Sequence, residues 1–235
     1  MFVSFSHVGT RHRSEGMMNQ DVIVTGERGP LSVMALADGV SSCPHAREGA
    51  EISCRAVQAL LLDKGHWFLQ FDSKTATRFV LTQIRYELQK TADACRENPV
   101  DYSSTLAFIL LDQATNRIMY WNLGDAVILG ICSGNLRVIA APTDSSCGCP
   151  TTTTKKVDST VKTGVMTAEG YSSFMICSDG AWRTILSGGH MRKEPYKLLQ
   201  TQQFDPFAEW IARQNPPDDS SCAILIPGKR DRAAA

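Results

Sequence analysis

The stretch Leu31 to Gly39, LSVMALADG, decides how the rest of the chain is read. Its apolar run is entered through Gly29-Pro30 and ends in Asp38-Gly39 and the polar turn Val40-Ser41-Ser42. Bounded in this way, it predicts a strand buried on both faces. The last side chain is a carboxylate, and burying a carboxylate is costly unless it is paired or binds a cation. The construction recurs at Ser173 to Gly180, SFMICSDG, and in part at Trp121 to Asp125, WNLGD. One Asp-Gly after a strand is ordinary turn chemistry. Three such strand ends point to a carboxylate cluster for hard divalent cations, which take oxygen ligands.

The 235 residues, 43% hydrophobic and 20% charged, suffice for one large domain with a sizeable core, spanning 1–235. With a formal net charge of zero, the chain advertises neither a basic face for nucleic acid nor a polybasic segment for a membrane. A small molecule or another protein is the expected partner. No apolar stretch approaches the roughly 20 residues of a membrane span. The opening MFVSFSHVGTRHRSEG lacks the charged head and long apolar centre of a signal peptide, so the expected location is the cytoplasm. Cys43, Cys54, Cys95, Cys132, Cys177 and Cys222 are scattered singly and read as small core hydrophobes. Cys147 and Cys149 form a close pair, but no second pair or nearby histidine completes a zinc set.

In chain order, Phe2 to Val8 and Asp21 to Glu27 read as strands flanking the polar stretch Gly9 to Gln20. Ala46 to Leu62 sets Ile52, Ala56, Ala59 and Leu60 at helical spacing, with Glu48 and Glu51 in the first turns, where acids suit the helix dipole. Ser73 to Cys95 repeats Val80, Ile84, Leu88 and Ala92 every four residues, which predicts a second helix. Thr105 to Leu111 and Arg117 to Leu123, joined by Asp112 to Asn116, carry a hairpin signature. With Ala126 to Cys132 and Leu136 to Ala140 they predict a meander of four short strands. Pro142 to Val161 has little periodicity and reads as a loop. A strand at Tyr171 to Ser178, helices at Lys193 to Gln203 and Pro206 to Arg213, a strand at Cys222 to Pro227 and a frayed tail over 228–235 complete the chain. The pattern is an α+β sandwich with carboxylates gathered at one edge of its sheets.

Six segments, taken in order, resemble the metal-dependent Ser/Thr protein phosphatases of the PPM, or type 2C, family. They are Gln20-Asp21, ALADG ending at Asp38-Gly39, SSTLAFILLD, NLGDA at Asp125, MICSDGAW at Asp179, and Asp218-Asp219-Ser220-Ser221 before an apolar strand. The resemblance spans Gly9 to Ile226, and the opening Gly9-Thr10-Arg11-His12 looks closer to the compact bacterial branch. It implies a four-layer sandwich, with two antiparallel β-sheets packed face to face and helices on both outer sides. It also implies two Mn²⁺ or Mg²⁺ ions bridged by Asp38, with the Gly39 carbonyl on one ion and Asp179 and Asp218 on the other. Asp21 would hold a metal-bound water. Two close ions lower the pKa of a bridging water and neutralise phosphate charge, so no covalent intermediate is needed.

The sequence departs from the family at several points. Gln20 stands where a glutamate is usual, and Gly16 where eukaryotic members carry an arginine for the substrate phosphate; Arg11, His12 or Arg13 is a candidate to replace that arginine. The family's GDS reads Gly124-Asp125-Ala126, and its aspartate after the tryptophan is Arg183. Both changes touch the place of an additional, weakly held ion. His45, at the entry to the first long helix, is a candidate to protonate the leaving alkoxide. The expected function is removal of phosphate from Ser or Thr of a phosphorylated protein, opposing a partner kinase, with no nucleic acid or membrane partner. The alternatives are a non-catalytic regulatory or binding module of the same fold and a metallohydrolase for small phosphate esters.

Overall fold

Residue 124 has a backbone φ of +116°, a conformation glycine adopts readily, and at Gly124 the chain leaves one β-sheet for the other. The computed structural model describes residues 1–143, 149–155, 157 and 159–228; the expected tail from 229 onward and Cys147 lie outside these. The first sheet has the order β2 (Asp21–Arg28), β3 (Leu31–Asp38), β4 (Leu106–Asp112), β5 (Arg117–Leu123), β8 (Lys162–Thr167). The second runs β1 (Phe2–His7), β12 (Ser220–Leu225), β9 (Tyr171–Cys177), β6 (Val127–Cys132), β7 (Asn135–Ala140). All of these pairs are antiparallel.

The predicted four-strand meander is therefore two hairpins in different sheets. β5 pairs with β4 and β8, whereas β6 pairs with β7 and β9. Turn spacing reports that strands alternate with turns but not which sheet each strand joins. The loop expected over residues 142–161 is followed directly by β8, whose KTGVMT sequence is too short and too rich in Thr and Gly to stand out. The polar stretch after β1 contains a short helix, α1 (Thr10–Ser14), that the pattern did not indicate.

Strand β3 explains why its run is apolar without a break. Val33, Ala35 and Ala37 face the cluster containing helices α2 (Ala46–Phe68) and α3 (Ser73–Cys95), whereas Met34 and Leu36 face the opposite sheet. β4 repeats this, with Leu106, Phe108 and Leu110 on the helix side and Ala107, Ile109 and Leu111 between the sheets. Alternation on a strand sends successive residues to opposite faces, so two covered faces demand two apolar series. Truncating Leu36, with no exposed surface, is expected to cost about 2–5 kcal/mol. The outer face of the second sheet is covered by α4 (Asp179–Ile185), α5 (Lys193–Gln200) and α6 (Phe204–Arg213), through Ile185, Leu199, Phe207 and Ile211. A small hairpin, β10 (Leu186–Ser187) and β11 (His190–Met191), follows α4. The result is a four-layer α+β sandwich. Among the described residues, no helix is long and apolar enough to cross a membrane.

Candidate functional site

In the β2–β3 hairpin Asp21 lies directly opposite Asp38. The Asp38 amide donates to Thr105 Oγ1 at 3.0 Å, and the Thr105 amide returns a bond to the Asp38 carbonyl at 2.8 Å. From the second sheet come Asp179, the first residue of α4, and Asp218, two residues before β12. The ends of β9 and β12 are locked together by Ser178: its amide donates to the Ser221 carbonyl at 3.0 Å, and its Oγ accepts the Ser221 amide at 2.9 Å. Asp125 sits at the crossover between sheets, its carbonyl accepting from Trp182 Nε1 at 2.8 Å. The sandwich thus gathers Asp21, Asp38, Asp125, Asp179 and Asp218 at one edge.

The electrostatics of that edge are those of crowded anions. Burial, then the charges of Asp21, Asp179, Asp125 and Asp218, push the Asp38 carboxyl well above its ordinary value. Burial lifts Asp21 to about 7, with Asp219 and Asp179 adding to it and the Ser178 and Ser221 hydroxyls easing it. Ser178 Oγ also donates to the Asp219 carbonyl at 3.3 Å, and Ser221 Oγ lies 2.7 Å from Ser6 Oγ, where either hydroxyl can donate. Asp179 rises to about 6, first by burial and then through Asp125 and Asp218, while Arg183 counteracts. As the side chains stand, no three His, Cys, Asp or Glu groups among the described residues converge tightly enough to hold one ion. Like charges at this density push one another apart.

The donor chemistry fits divalent Mn²⁺ or Mg²⁺. Both carboxylate oxygens of Asp21, Oδ1 of Asp179 and Oε1 of Gln20 are buried without a hydrogen-bond partner. Buried acceptors are normally satisfied, and an all-oxygen set of this kind suits a hard cation and its waters.

A family model described as protein phosphatase 2C matches residues 8–221. The chain belongs to the protein phosphatase 2C family. Solved structures agree on the fold. A bacterial serine phosphatase superposes with a TM-score of 0.73 at 12% identity, covering 98% of each chain. Serine/threonine phosphatase Stp1 from Staphylococcus aureus gives 0.72 at 13% identity, covering 97% of this chain and 95% of its own. The catalytic domain of the serine threonine protein phosphatase PstP, in complex with two manganese ions, gives 0.68 at 20% identity, covering 95% and 96%. A comparison with curated proteins finds no match.

Within this phosphatase 2C fold the remaining candidates fall in three places. Gln20, 7% exposed, abuts the cluster, and its carbonyl accepts from the Gly39 amide at 3.2 Å. His12 and His45 stand apart from the five carboxylates. His12, on α1, is buried against Asp219, with Nδ1 2.9 Å from Oδ2. His45 stacks on Tyr102 at 4.7 Å and sets Nε2 3.1 Å from Glu97 and Nδ1 3.3 Å from Glu48. Arg183 lies 3.3 Å from Asp179, and Arg13 donates to the Val8 carbonyl.

Two residues were missed. Asp219 is 3% exposed and accepts from the Gly9 amide at 2.8 Å, the Gln20 amide at 2.6 Å and His12. It moors the segment carrying Gln20 and Asp21 to the start of β12. Adjacent acids before a strand point to opposite sides, so the Asp218-Asp219 pair was itself a signal that one of the two is structural. Cys149 lies beside Asp125, and burial together with the carboxylates of Asp125, Asp38 and Asp179 pushes its thiol up to about 12. Its spacing offered no hint of that neighbourhood.

Proposed function

We propose that the chain is a metal-dependent protein serine/threonine phosphatase that hydrolyses phosphoserine or phosphothreonine through an activated water. The observation that carries this reading is the meeting of five carboxylates, drawn from both sheets, around buried oxygens that lack partners, in a chain of the protein phosphatase 2C family. Asp38, the Gly39 carbonyl, Asp179 and Asp218 would hold two ions, and the two manganese ions of the PstP domain support that number. Such ions, when bound, lower the pKa of a water between them and neutralise phosphate oxygens. Asp21, with two free carboxylate oxygens, accepts hydrogen bonds from water and orients it toward the phosphorus. Gln20 does the same as a neutral acceptor. The hairpin pairing of Asp21 with Asp38 and the Ser178–Ser221 lock fix these groups before substrate arrives, which is the preorganisation that catalysis of phosphoryl transfer relies on.

The substrate in this reading is a phosphorylated protein, a Ser/Thr kinase or its target, met in the cytoplasm. A second reading, a non-catalytic module of the same family, is favoured by Gln20, Gly16 and Arg183. Hydrolysis of p-nitrophenyl phosphate and of a phosphothreonine peptide, with and without Mn²⁺, separates them. Turnover of both substrates that depends on Mn²⁺ supports the enzyme. Peptide binding without turnover supports the module, and turnover restricted to the small ester supports a different hydrolase.

A further inference from the structure

Position 16, where the family's arginine for the substrate phosphate is expected, carries no side chain. Gly16 has a φ of +69° and open space around it. The carboxylate edge is approached instead from α2. A Cβ on Gly39 would lie 2.4 Å from the Ala46 carbonyl, so the first residue of α2 packs directly on the Asp38-Gly39 turn. The next residue, Arg47, is exposed and reaches across to donate through Nη1 to the carbonyl of Asn19, immediately before Gln20-Asp21. Its guanidinium is thereby tethered at the start of β2, beside the segment that presents Asp21, while its own helix packs on the turn that presents Asp38. Among the described residues Arg47 forms no ion pair. Arg183, by contrast, is paired with Asp179, and Arg13 is turned back onto Val8.

Arg47 and Gln20 line the same groove, a cavity of about 440 Å³ rimmed by Met17 and Met18. Gln20 is buried there with its Oε1 unpartnered. Glu48 and Glu51 also line it but are engaged, Glu48 with His45 at 3.3 Å and Glu51 with Arg55 at 2.8 Å. A guanidinium held by one nitrogen keeps the rest of its fork for the oxygens of a phosphoryl group, a geometry that a lysine cannot reproduce.

We propose that Arg47 holds the phosphoryl oxygens of the substrate, doing from α2 what the family's arginine does from the loop that here carries Gly16. The assignment rests on the phosphatase reading above and adds the residue that binds the phosphate. Because Arg47 also tethers Asn19, three substitutions are needed. Arg47→Gln keeps a donor for the Asn19 carbonyl and loses the charge, Arg47→Lys keeps the charge and loses the fork, and Arg47→Ala loses both.

The full-length chain is assayed with Mg²⁺ for kcat and KM on a phosphothreonine peptide and for inhibition by inorganic phosphate. If Arg47 grips phosphate, Arg47→Ala and Arg47→Gln raise both KM and the phosphate Ki by about 10-fold or more, the worth of a lost charge-assisted hydrogen bond. Arg47→Lys then recovers part of the loss, and kcat changes less than KM. Recovery of KM and Ki by Arg47→Gln, or values within about 2-fold of wild type in Arg47→Ala, overturns the assignment. Should the wild type hydrolyse nothing, the phosphatase reading fails by itself, and calorimetric binding of the same phosphopeptide decides Arg47. Loss of binding in Arg47→Gln but not in Arg47→Lys then supports its grip on phosphate, and equal binding by all variants, or none by the wild type, overturns it.

Discussion

Asp21 and Asp38 face each other across the β2–β3 ladder at the edge of the first sheet; burial raises the pKa of both, and the charge of Asp21 adds to the rise at Asp38. The register keeps both carboxylates on one face of the hairpin, so side-chain rotation eases their repulsion only in part. The fold therefore stores repulsion at this edge, which a cation relieves.

Removing one of these charges is expected to separate function from stability. Asp38→Asn or Asp179→Asn should reduce Mn²⁺-dependent hydrolysis by several orders of magnitude, while the metal-free protein melts at the same temperature as wild type or higher. Near wild-type turnover in saturating Mn²⁺ by either variant would rule out the ligand assignment.

The raised carboxyls also set a pH dependence. Asp21 keeps its proton in the fold up to about 7 but releases it near 3.8 when unfolded, and Asp179 and Asp38 shift in the same direction. Between those limits the native state binds more protons than the unfolded one, so stability of the metal-free protein falls as pH rises through this window. Urea unfolding in a chelator at pH 5 and pH 7.5 tests this. Wild type should be less stable at the higher pH, Asp38→Asn should show a shallower drop, and added Mn²⁺ should restore most of the difference.

Gln20 contributes an acceptor oxygen without charge. Gln20→Glu is expected to lower the Mn²⁺ concentration for half-maximal activity several-fold, because a carboxylate attracts the ion and its waters more strongly. An unchanged or raised metal requirement would place Gln20 outside the coordination shell.

Asp219 satisfies two buried amides and His12. An orphaned buried donor costs about 1–3 kcal/mol, so Asp219→Ala is expected to destabilise the protein by more than about 3 kcal/mol, and Asp219→Asn, which keeps an acceptor oxygen, by less. A loss below about 1 kcal/mol in Asp219→Ala, with an unchanged denaturant slope, would show that other groups moor the Gln20-Asp21 segment.

Arg183 pairs with Asp179 at 3.3 Å and lowers the pKa that Asp125 and Asp218 raise. A fixed positive charge repels a further divalent ion there. Crystals grown in high Mn²⁺ are expected to show two anomalous peaks near Asp38 and none beside Asp125, with a third gained in Arg183→Asp. A well-occupied third peak in the unmodified protein contradicts the pairing.

Much of this architecture was legible because hydrophobicity and burial coincide along it. The doubly buried β3 and β4 announced themselves as unbroken apolar runs, and α3 was read at its full length, Ser73–Cys95, from one four-residue repeat. Sheet membership was not legible. The transfer at Gly124 depends on a backbone angle, and β8 pairs with β5 through a sequence with no apolar alternation. At the candidate site, the aspartates closing apolar runs could be picked out, since an acid at the end of a buried strand is anomalous. Arg47 and Cys149 gave no such sign, because what places them there is long-range packing between segments, and the Asp218-Asp219 pair showed that one acid is structural but not which one.

The order of strands in the second sheet has a consequence for the nascent protein. β12 comes after every other strand of its sheet in the chain, yet it is seated between β1 and β9 rather than at an edge. Until it arrives, two strands present open flanks to the surroundings, an invitation to mispairing and aggregation. Asp218 and Asp219 travel with β12, so a ribosome-bound chain that already displays Asp21 and Asp38 still lacks both the acid that completes the cluster and the one that moors the N-terminal segment. Contacts spanning some 200 residues make this closure slow. The event that seals the sheet also completes the carboxylate edge, so a product cut short of β12 would be aggregation-prone and would lack Asp218.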